Sequence, residues 1–422
     1  MTDPTQHTPT STPENAAPDV SRLTDPAFLV HGDPDVTGHL LDRASSAGEL
    51  LVAAVYRAST HLHRDADSAA GRNLLALDAA RYGDRELAAR IAAVPVVRET
   101  GGWGVAWATG SPIDARLRQT FTGHTGWVTA VAIMDMNGRP HIVTGADNTV
   151  RIWDPATGVQ VGEPLTGHDG LVWSVATVVM NGRPYIVTGA DDMTVRIWDP
   201  ATGDQVGEPL TGHDGPVWSM TTVDMNGRPH IVTVTDSDNK PVRIWDPTTG
   251  VQVGEPLTGH DGPVWSVTTM VMNGRPHIVT GADDMTVRIW DPATGEQVGR
   301  PLTSHTGAVN AVATVVMNGR PHIVTGSDDM TVRIWDPATG EQVGKPLTGH
   351  GGVWSVATVD MNGRPHIVTG GRDKTVRIWD PTTGEQVGGE LVFPAPVTTL
   401  AAIATKSFIV GFGHDIALLT HL

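Results

Sequence analysis

The chain has 422 residues, of which 39% are apolar and 18% charged, enough for roughly two to four average domains with a sizeable core. Its 48 Gly and 30 Pro show no collagen triplet and fall below the level of a low-complexity disordered chain. The absence of Cys excludes a disulfide framework, a thiolate zinc site and a cysteine nucleophile. A net charge of −17 argues against nucleic acid or an anionic membrane surface as partner and favours a cationic one.

Residues 1–20, rich in Thr, Pro and Asp, predict a disordered leader without the basic start or apolar run of an export signal. No later stretch approaches the ~18 apolar residues of a spanning helix, so a cytoplasmic protein is expected. Over 21–100 apolar residues recur at spacings of three and four, as in Leu74, Leu75, Leu77 and Ala80, or Leu87 and Ile91. This predicts a small helical domain with helices near 35–44, 47–63, 68–81 and 84–94. His61, His63 and Asp65 resemble a metal cluster, but at i and i+2 on a helix they do not share a face; no metal or other cofactor is expected. Residues 101–114 read as a linker. From 115 onward the chain repeats itself. The tetrapeptide Arg-Ile-Trp-Asp places Trp at 153, 198, 245, 290, 335 and 379, and His at 124, 168, 213, 260, 305 and 350 keeps step. Each unit reads as four strands: a run such as VWSVATVVM, an Asn-Gly hairpin, RPHIVTGA, a turn carrying Asp, TVRIWD, a Pro-x-Thr-Gly turn and VQVGEPL. Self-similarity at this period selects radial repetition, an all-β propeller.

A Gly-His pair followed 25 to 30 residues later by Trp-Asp, in a unit of 40 to 45, is similar to the WD-repeat family. The resemblance covers 115 to about 387 and implies four-stranded blades around a central channel. Three further apolar strands, VTTLAAIAT, SFIVGFG and DIALLTHL, suggest a degenerate seventh blade over 391–422, completed by Ala115–Phe121 as the closing outer strand. The expectation is a seven-bladed propeller spanning 115–422, with six blades if the tail packs elsewhere. In the family pattern His, Thr, Asp and Trp of each blade form one hydrogen-bonded chain. The implied sets are His124, Thr144, Asp147 and Trp153; His168, Thr188, Asp192 and Trp198; His260, Thr280, Asp284 and Trp290; His305, Thr325, Asp329 and Trp335; and His350, Thr369, Asp373 and Trp379. The third copy offers His213, Thr233 and Trp245, with Asp238 and Asn239 in a two-residue insertion. Trp only donates, neutral His donates and accepts, and Asp accepts. A constellation recurring six times is read as structural, so no catalytic residue is expected.

Positions that vary between copies are free to carry function. By the family pattern Trp127, Trp173, Trp218, Trp265 and Trp354 lie at the channel mouth, and Asp191, Asp283, Asp328 and Arg372 stand just before the turn Asp. Trp with acidic groups favours cationic or amphipathic protein segments; alternatively the Trp pack against one another between blades. The opposite rim carries Arg139, Arg183, Arg228, Arg275, Arg320 and Arg364, expected to pair locally with the Asp of the Pro-x-Thr-Gly turns. Gly340 to Lys345 resembles a phosphate loop but has three intervening residues and is followed by Pro346. The runs FLVHGDPD, VYRASTHLHRD and LLALDAARYG resemble the helical segment preceding propellers in actinobacterial signalling NTPases of the STAND type. An excess of 25 Arg over four Lys fits the high-GC coding of such bacteria. The function expected is a monomeric, non-catalytic interaction scaffold or sensor that binds a protein or peptide. The alternatives are a regulatory subunit of a separately encoded NTPase or effector and, third, a propeller enzyme.

Overall fold

The computed structural model describes residues 20–32, 34–41, 43, 47–58, 68–82, 84–95, 103–108, 124–237, 242–393, 395–404 and 407–421. The leader up to residue 19, the segment 59–63 expected to extend a helix, the His61, His63 and Asp65 group, Ala115–Phe121, Asp238 and Asn239 lie outside them. A 3-10 turn (Val20–Thr24) leads into α1 (Pro26–His31), α2 (Pro34–Leu41), α3 (Ala47–Ala58), α4 (Ser68–Arg81) and α5 (Arg85–Ala92). Asp25 caps α1 by accepting from the Ala27 N–H at 3.0 Å, with Pro26 at the first helical position. Asp84 caps α5 through the Leu87 N–H at 2.8 Å.

The next element, β1 (Trp103–Ala108), falls inside the expected linker. Large Trp103, Val105 and Trp107 alternate there with Gly104, Ala106 and Ala108; this period-two signal is only six residues long and was masked by the Gly-rich approach. Six sheets follow in chain order. The first contains β2 (Val128–Met136), β3 (Arg139–Ala146), β4 (Thr149–Trp153) and β5 (Leu165–Thr166). The second contains β6 (Val172–Met180), β7 (Arg183–Ala190) and β8 (Val195–Trp198), and the third β9 (Val217–Met225), β10 (Arg228–Thr235) and β11 (Val242–Trp245). The fourth contains β12 (Val264–Met272), β13 (Arg275–Ala282) and β14 (Val287–Trp290); the fifth β15 (Val309–Met317), β16 (Arg320–Ser327), β17 (Thr331–Trp335) and β18 (Gln342–Thr348). The sixth is β19 (Val353–Met361), β20 (Arg364–Gly371), β21 (Thr375–Trp379) and β22 (Leu391–Val392). Leu391 and Val392 pair with β21, so the boundary expected at 391 moves to the start of the last sheet. That sheet runs β23 (Val397–Ala404), β24 (Ser407–Phe412), β25 (Asp415–His421) and then β1, whose Trp103 pairs with His421 and Ala108 with Ala417. The outer strand sought at 115–121 is therefore supplied by β1.

The Asn-Gly hairpins form as the dipeptide predicts. Asn137 and Gly138 adopt φ of 57° and 77°, and the other five copies repeat this pair of positive values, matching the twist of the flanking strands. Each first strand packs on that of the next sheet, from β2 on β6 through β19 on β23, and β23 packs on β2. At this last contact Thr398 Oγ1 donates to the Val128 carbonyl at 2.6 Å and the Val128 N–H to the Gly413 carbonyl at 2.7 Å. Close approach between sheets depends on Gly189, Gly281, Gly326 and Gly370. A Cβ on Gly189 would sit 2.6 Å from Val217 of the following sheet, and the other three meet a Val in the same way. The third sheet carries Val234 here, fully buried against its neighbour. The helices share one apolar cluster with the last two sheets: Leu40, Val55, Leu77 and Ile91 join Val376, Phe393, Phe408 and Phe412. Helices α4 and α5 pack on β1, and α4 also reaches β22. No helix among the described residues is long and apolar enough to cross a membrane.

Candidate functional site

Antiparallel pairing sets two faces. The upper one carries the His loops and the turns between second and third strands; the lower one carries the Asn-Gly hairpins. On the upper side every repeat buries a Thr that joins His to Trp. His Nε2 lies 2.6 to 3.0 Å from the Thr Oγ1 in all six copies, and the Trp Nε1 donates to the same oxygen at 2.8 to 3.0 Å. Where an aspartate faces Nδ1, that nitrogen carries the imidazole proton, so Nε2 accepts the hydroxyl of the same Thr whose oxygen receives the indole proton. In the second, fourth, fifth and sixth copies Nδ1 donates to Asp192, Asp284, Asp329 and Asp373 at 2.8 to 3.1 Å. Each Asp also accepts backbone N–H groups, as Asp284 does from Asp261 and Thr286, and so ties the His loop to the turn. Burial pushes the Asp329 carboxyl upward, but bonds from Thr331 and His305 hold it down at about 2; Asp373 likewise stands at about 2, with His350 its main stabiliser. A carboxylate and a neutral imidazole used in this way are cross-links, with no free nucleophile or base.

Two copies depart from the expected set. Asp147 was expected to take the turn role in the first, but it accepts from the Thr125 hydroxyl instead and leaves His124 Nδ1 buried without a partner among the described residues. The turn is one residue short, and Asp147 itself adopts a positive φ of 50°, which turns its carboxylate from the imidazole. His213 of the third copy likewise has no aspartate on Nδ1 among the described residues, and the Met193 carbonyl from the turn of the preceding sheet bears on its ring. Burial, aided by Arg151 beside the first and Arg243 beside the second, lowers both imidazoles from 6.5 to about 4.

The upper rim brings together three of the five expected Trp. Trp173 and Trp218 have ring centroids 4.3 Å apart, and Trp218 meets Trp265 edge-on at 5.1 Å. Trp354 stands apart, with Asn310 and Thr398 at the equivalent places on the sheets either side, and Trp127 projects from the His loop at 48% exposure. Each Trp of the arc is the extra residue of a β-bulge: the register skips Trp173 between Val172 and Ser174, and the same step occurs at Thr129, Trp218, Trp265, Asn310, Trp354 and Thr398. A bulge re-aims its side chain. The acidic residues are partners of these side chains: Asp191 accepts from Trp173 Nε1 at 2.7 Å, Asp283 from Trp265 at 3.4 Å and Asp328 from Asn310 at 2.8 Å. Trp218 Nε1 is buried with no such partner among the described residues, and Arg372 is exposed. Sequence reasoning missed Met193, Met285 and Met330, exposed at 44 to 55% in the turns beside these aspartates, with φ of 62° to 67°. The recurrent Asp-Asp-Met-Thr was the available signal. It also missed Ser174, Ser219 and Ser266, whose hydroxyls accept the N–H of Met220, Val267 and Val312 on the following sheet at 2.9 to 3.2 Å.

The lower rim overturns one expectation. Only Arg183 reaches a turn aspartate, Asp199, at 3.6 Å. The exposed guanidinium groups of Arg139, Arg228, Arg275, Arg320 and Arg364 have no ion-pair or hydrogen-bond partner among the described residues. The turn aspartates are held by their own backbone, as Asp154 is by the Ala156 N–H at 2.7 Å and Asp291 by the Ala293 N–H at 2.8 Å. Among the described residues no three His, Asp or Glu are grouped to hold a metal ion. Gly340 to Lys345 runs into and forms the start of the outer strand β18, so no helix follows it as in a phosphate loop.

No curated protein matches the chain. The family described as WD domain, G-beta repeat matches residues 115–154, 158–199, 250–291, 295–336 and 340–380, leaving out the long third copy. The chain therefore carries WD repeats, found five times along its length, on a succession of small antiparallel sheets.

Proposed function

We propose that the sheets form a closed seven-bladed propeller and that the chain is a non-catalytic interaction module whose upper face captures a partner protein. WD repeats typically mediate protein–protein interaction. The observation carrying the reading is the Trp173, Trp218 and Trp265 arc, built on bulges of three adjacent sheets and bordered by exposed Leu171, Met193 and Met285 with Asp191 and Asp283. Aromatic anchors, adaptable methionines and carboxylates on one rim suit an amphipathic segment with cationic groups. In four of the six copies the repeated His, Thr and Asp are all consumed by cross-links between the His loop and its sheet, which supports a scaffold over an enzyme. Affinity capture with quantitative mass spectrometry tests the reading, using the native chain and a Trp265→Ala/Met285→Ala variant as baits. Partners enriched by the native bait should fall at least tenfold on the variant. Retention of the same partners at the same level would overturn the proposal.

A further inference from the structure

The lower face is not uniform around its rim. The residue before the last Met of the first strand is Asp135, Asp224 and Asp360 in the first, third and sixth copies, where it accepts the hairpin Gly N–H at 2.7 to 2.8 Å. In the second, fourth and fifth copies it is Val179, Val271 and Val316, exposed at 58 to 62%. Only the fourth and fifth are neighbours, so one sector of the rim lacks this acid on two adjacent sheets. A cavity of about 600 Å³ opens there, lined by Val271, Pro276, Thr314, Val316 and Pro321 and, from the third sheet, by Thr222 and Asp224. Gly274 and Pro276, which flank Arg275, and Gly319 and Pro321, which flank Arg320, are part of its wall. Both guanidinium groups are among those without a partner among the described residues.

We propose that this sector is a second binding surface, for an acidic protein segment that inserts an apolar side chain between Val271 and Val316 and places carboxylates on Arg275 and Arg320. The volume suits a few side chains of a short segment rather than a folded domain, and the exposed valines beside prolines would bury an alkyl or ring group. Unpaired guanidinium groups take carboxylates in bidentate geometry. A long nucleic acid would meet the net charge of −17 and all the aspartates around the same rim, whereas a short acidic segment seated on the fourth and fifth sheets faces only Asp224 among them.

The test is fluorescence anisotropy on the full chain at low ionic strength, with three probes: a dye-labelled octapeptide of six Glu or Asp and two Leu, the same peptide with Lys at each acidic position, and an oligouridylate. The acidic peptide should bind, and at least tenfold more weakly to Arg275→Glu/Arg320→Glu. Val271→Asp/Val316→Asp should weaken it similarly, and this variant only copies the residue already present in three other repeats. Trp265→Ala on the opposite face should leave the affinity unchanged, which separates this surface from the upper one. Thermal melting checks that each variant is folded. Undiminished binding to the arginine variant, absence of binding by the acidic peptide, or tighter binding of the oligouridylate or the Lys peptide would each overturn the proposal.

Discussion

The second and third sheets hold the same His, Thr and Trp, yet they are built differently. In the second, His168 is pinned at both nitrogens, and its ring lies 6.3 Å from Trp198. In the third, two extra residues separate Thr233 from Trp245, His213 keeps the bond to Thr233 at 3.0 Å but has no aspartate partner among the described residues, and its ring slides over Trp245 to 4.9 Å. The third also replaces the Gly at the sheet contact with Val234, and leaves Trp218 Nε1 unpartnered where Trp173 has Asp191. The Thr alone therefore suffices to seat the Trp. The Asp does something else: it fixes the loop above the sheet and gives the imidazole proton a destination.

Acidification should break the comparison most strongly. Both unpinned imidazoles, His124 and His213, stay neutral in the folded chain down to about pH 4, while in the unfolded chain they take up a proton near 6.5. Stability should be level above pH 7 and fall as pH drops from about 6.5 to 4, by about 3 kcal/mol for each of the two. Urea midpoints at pH 7, 5.5 and 4.2, with histidine titration followed by NMR, would show it; a midpoint unchanged down to 4.2 contradicts the assignment. The aspartates act in a lower window, since Asp329 and Asp373 stay ionised to about 2 and their contribution is lost only below the ordinary carboxylate range. A smaller effect comes from removing the pin. Asp284→Ala strands His260 Nδ1 and two backbone N–H groups and should cost about 2 to 3 kcal/mol, whereas Asp147→Ala, which touches no imidazole, should cost about 1 kcal/mol or less. Equal losses in denaturant unfolding would erase the distinction between complete and incomplete copies. The smallest effect is at the arc: Trp173→Phe gives up the bond to Asp191 and about 1 kcal/mol, while Trp218→Phe discards an unsatisfied donor and should stay within about 0.5 kcal/mol of the parent.

What could be read from the residues was whatever repeats or relies on local chain geometry. The step of Trp153 to Trp379, the Asn-Gly hairpins and the four complete His–Thr–Asp–Trp chains follow from spacing and family pattern. The bulges that re-aim the arc depend on a register set by two strands together, which one strand's alternation cannot display. The same holds for the freedom of the lower arginines: it follows from the turn aspartates bonding to their own backbone, a competition invisible in a list of charges. Strand β1 escaped because six residues of alternation do not stand out without the edge of β25 to receive them. The shared cluster of helices and sheets was equally hidden, since the pattern near Leu77 and Ile91 shows an apolar face but not its neighbour.

The pairing of Trp103 with His421 has a consequence for synthesis. The two strands leave the ribosome roughly 300 residues apart, and closing so long a loop carries an entropic cost that local hairpins do not face. Six sheets can zip up one after another as they emerge, but β1, with the helices packed on it, must wait for the final strand. Until then the nascent chain presents open strand edges, so the interval between the first hairpin and the last is when a chaperone or a neighbouring copy has its best opportunity to intervene.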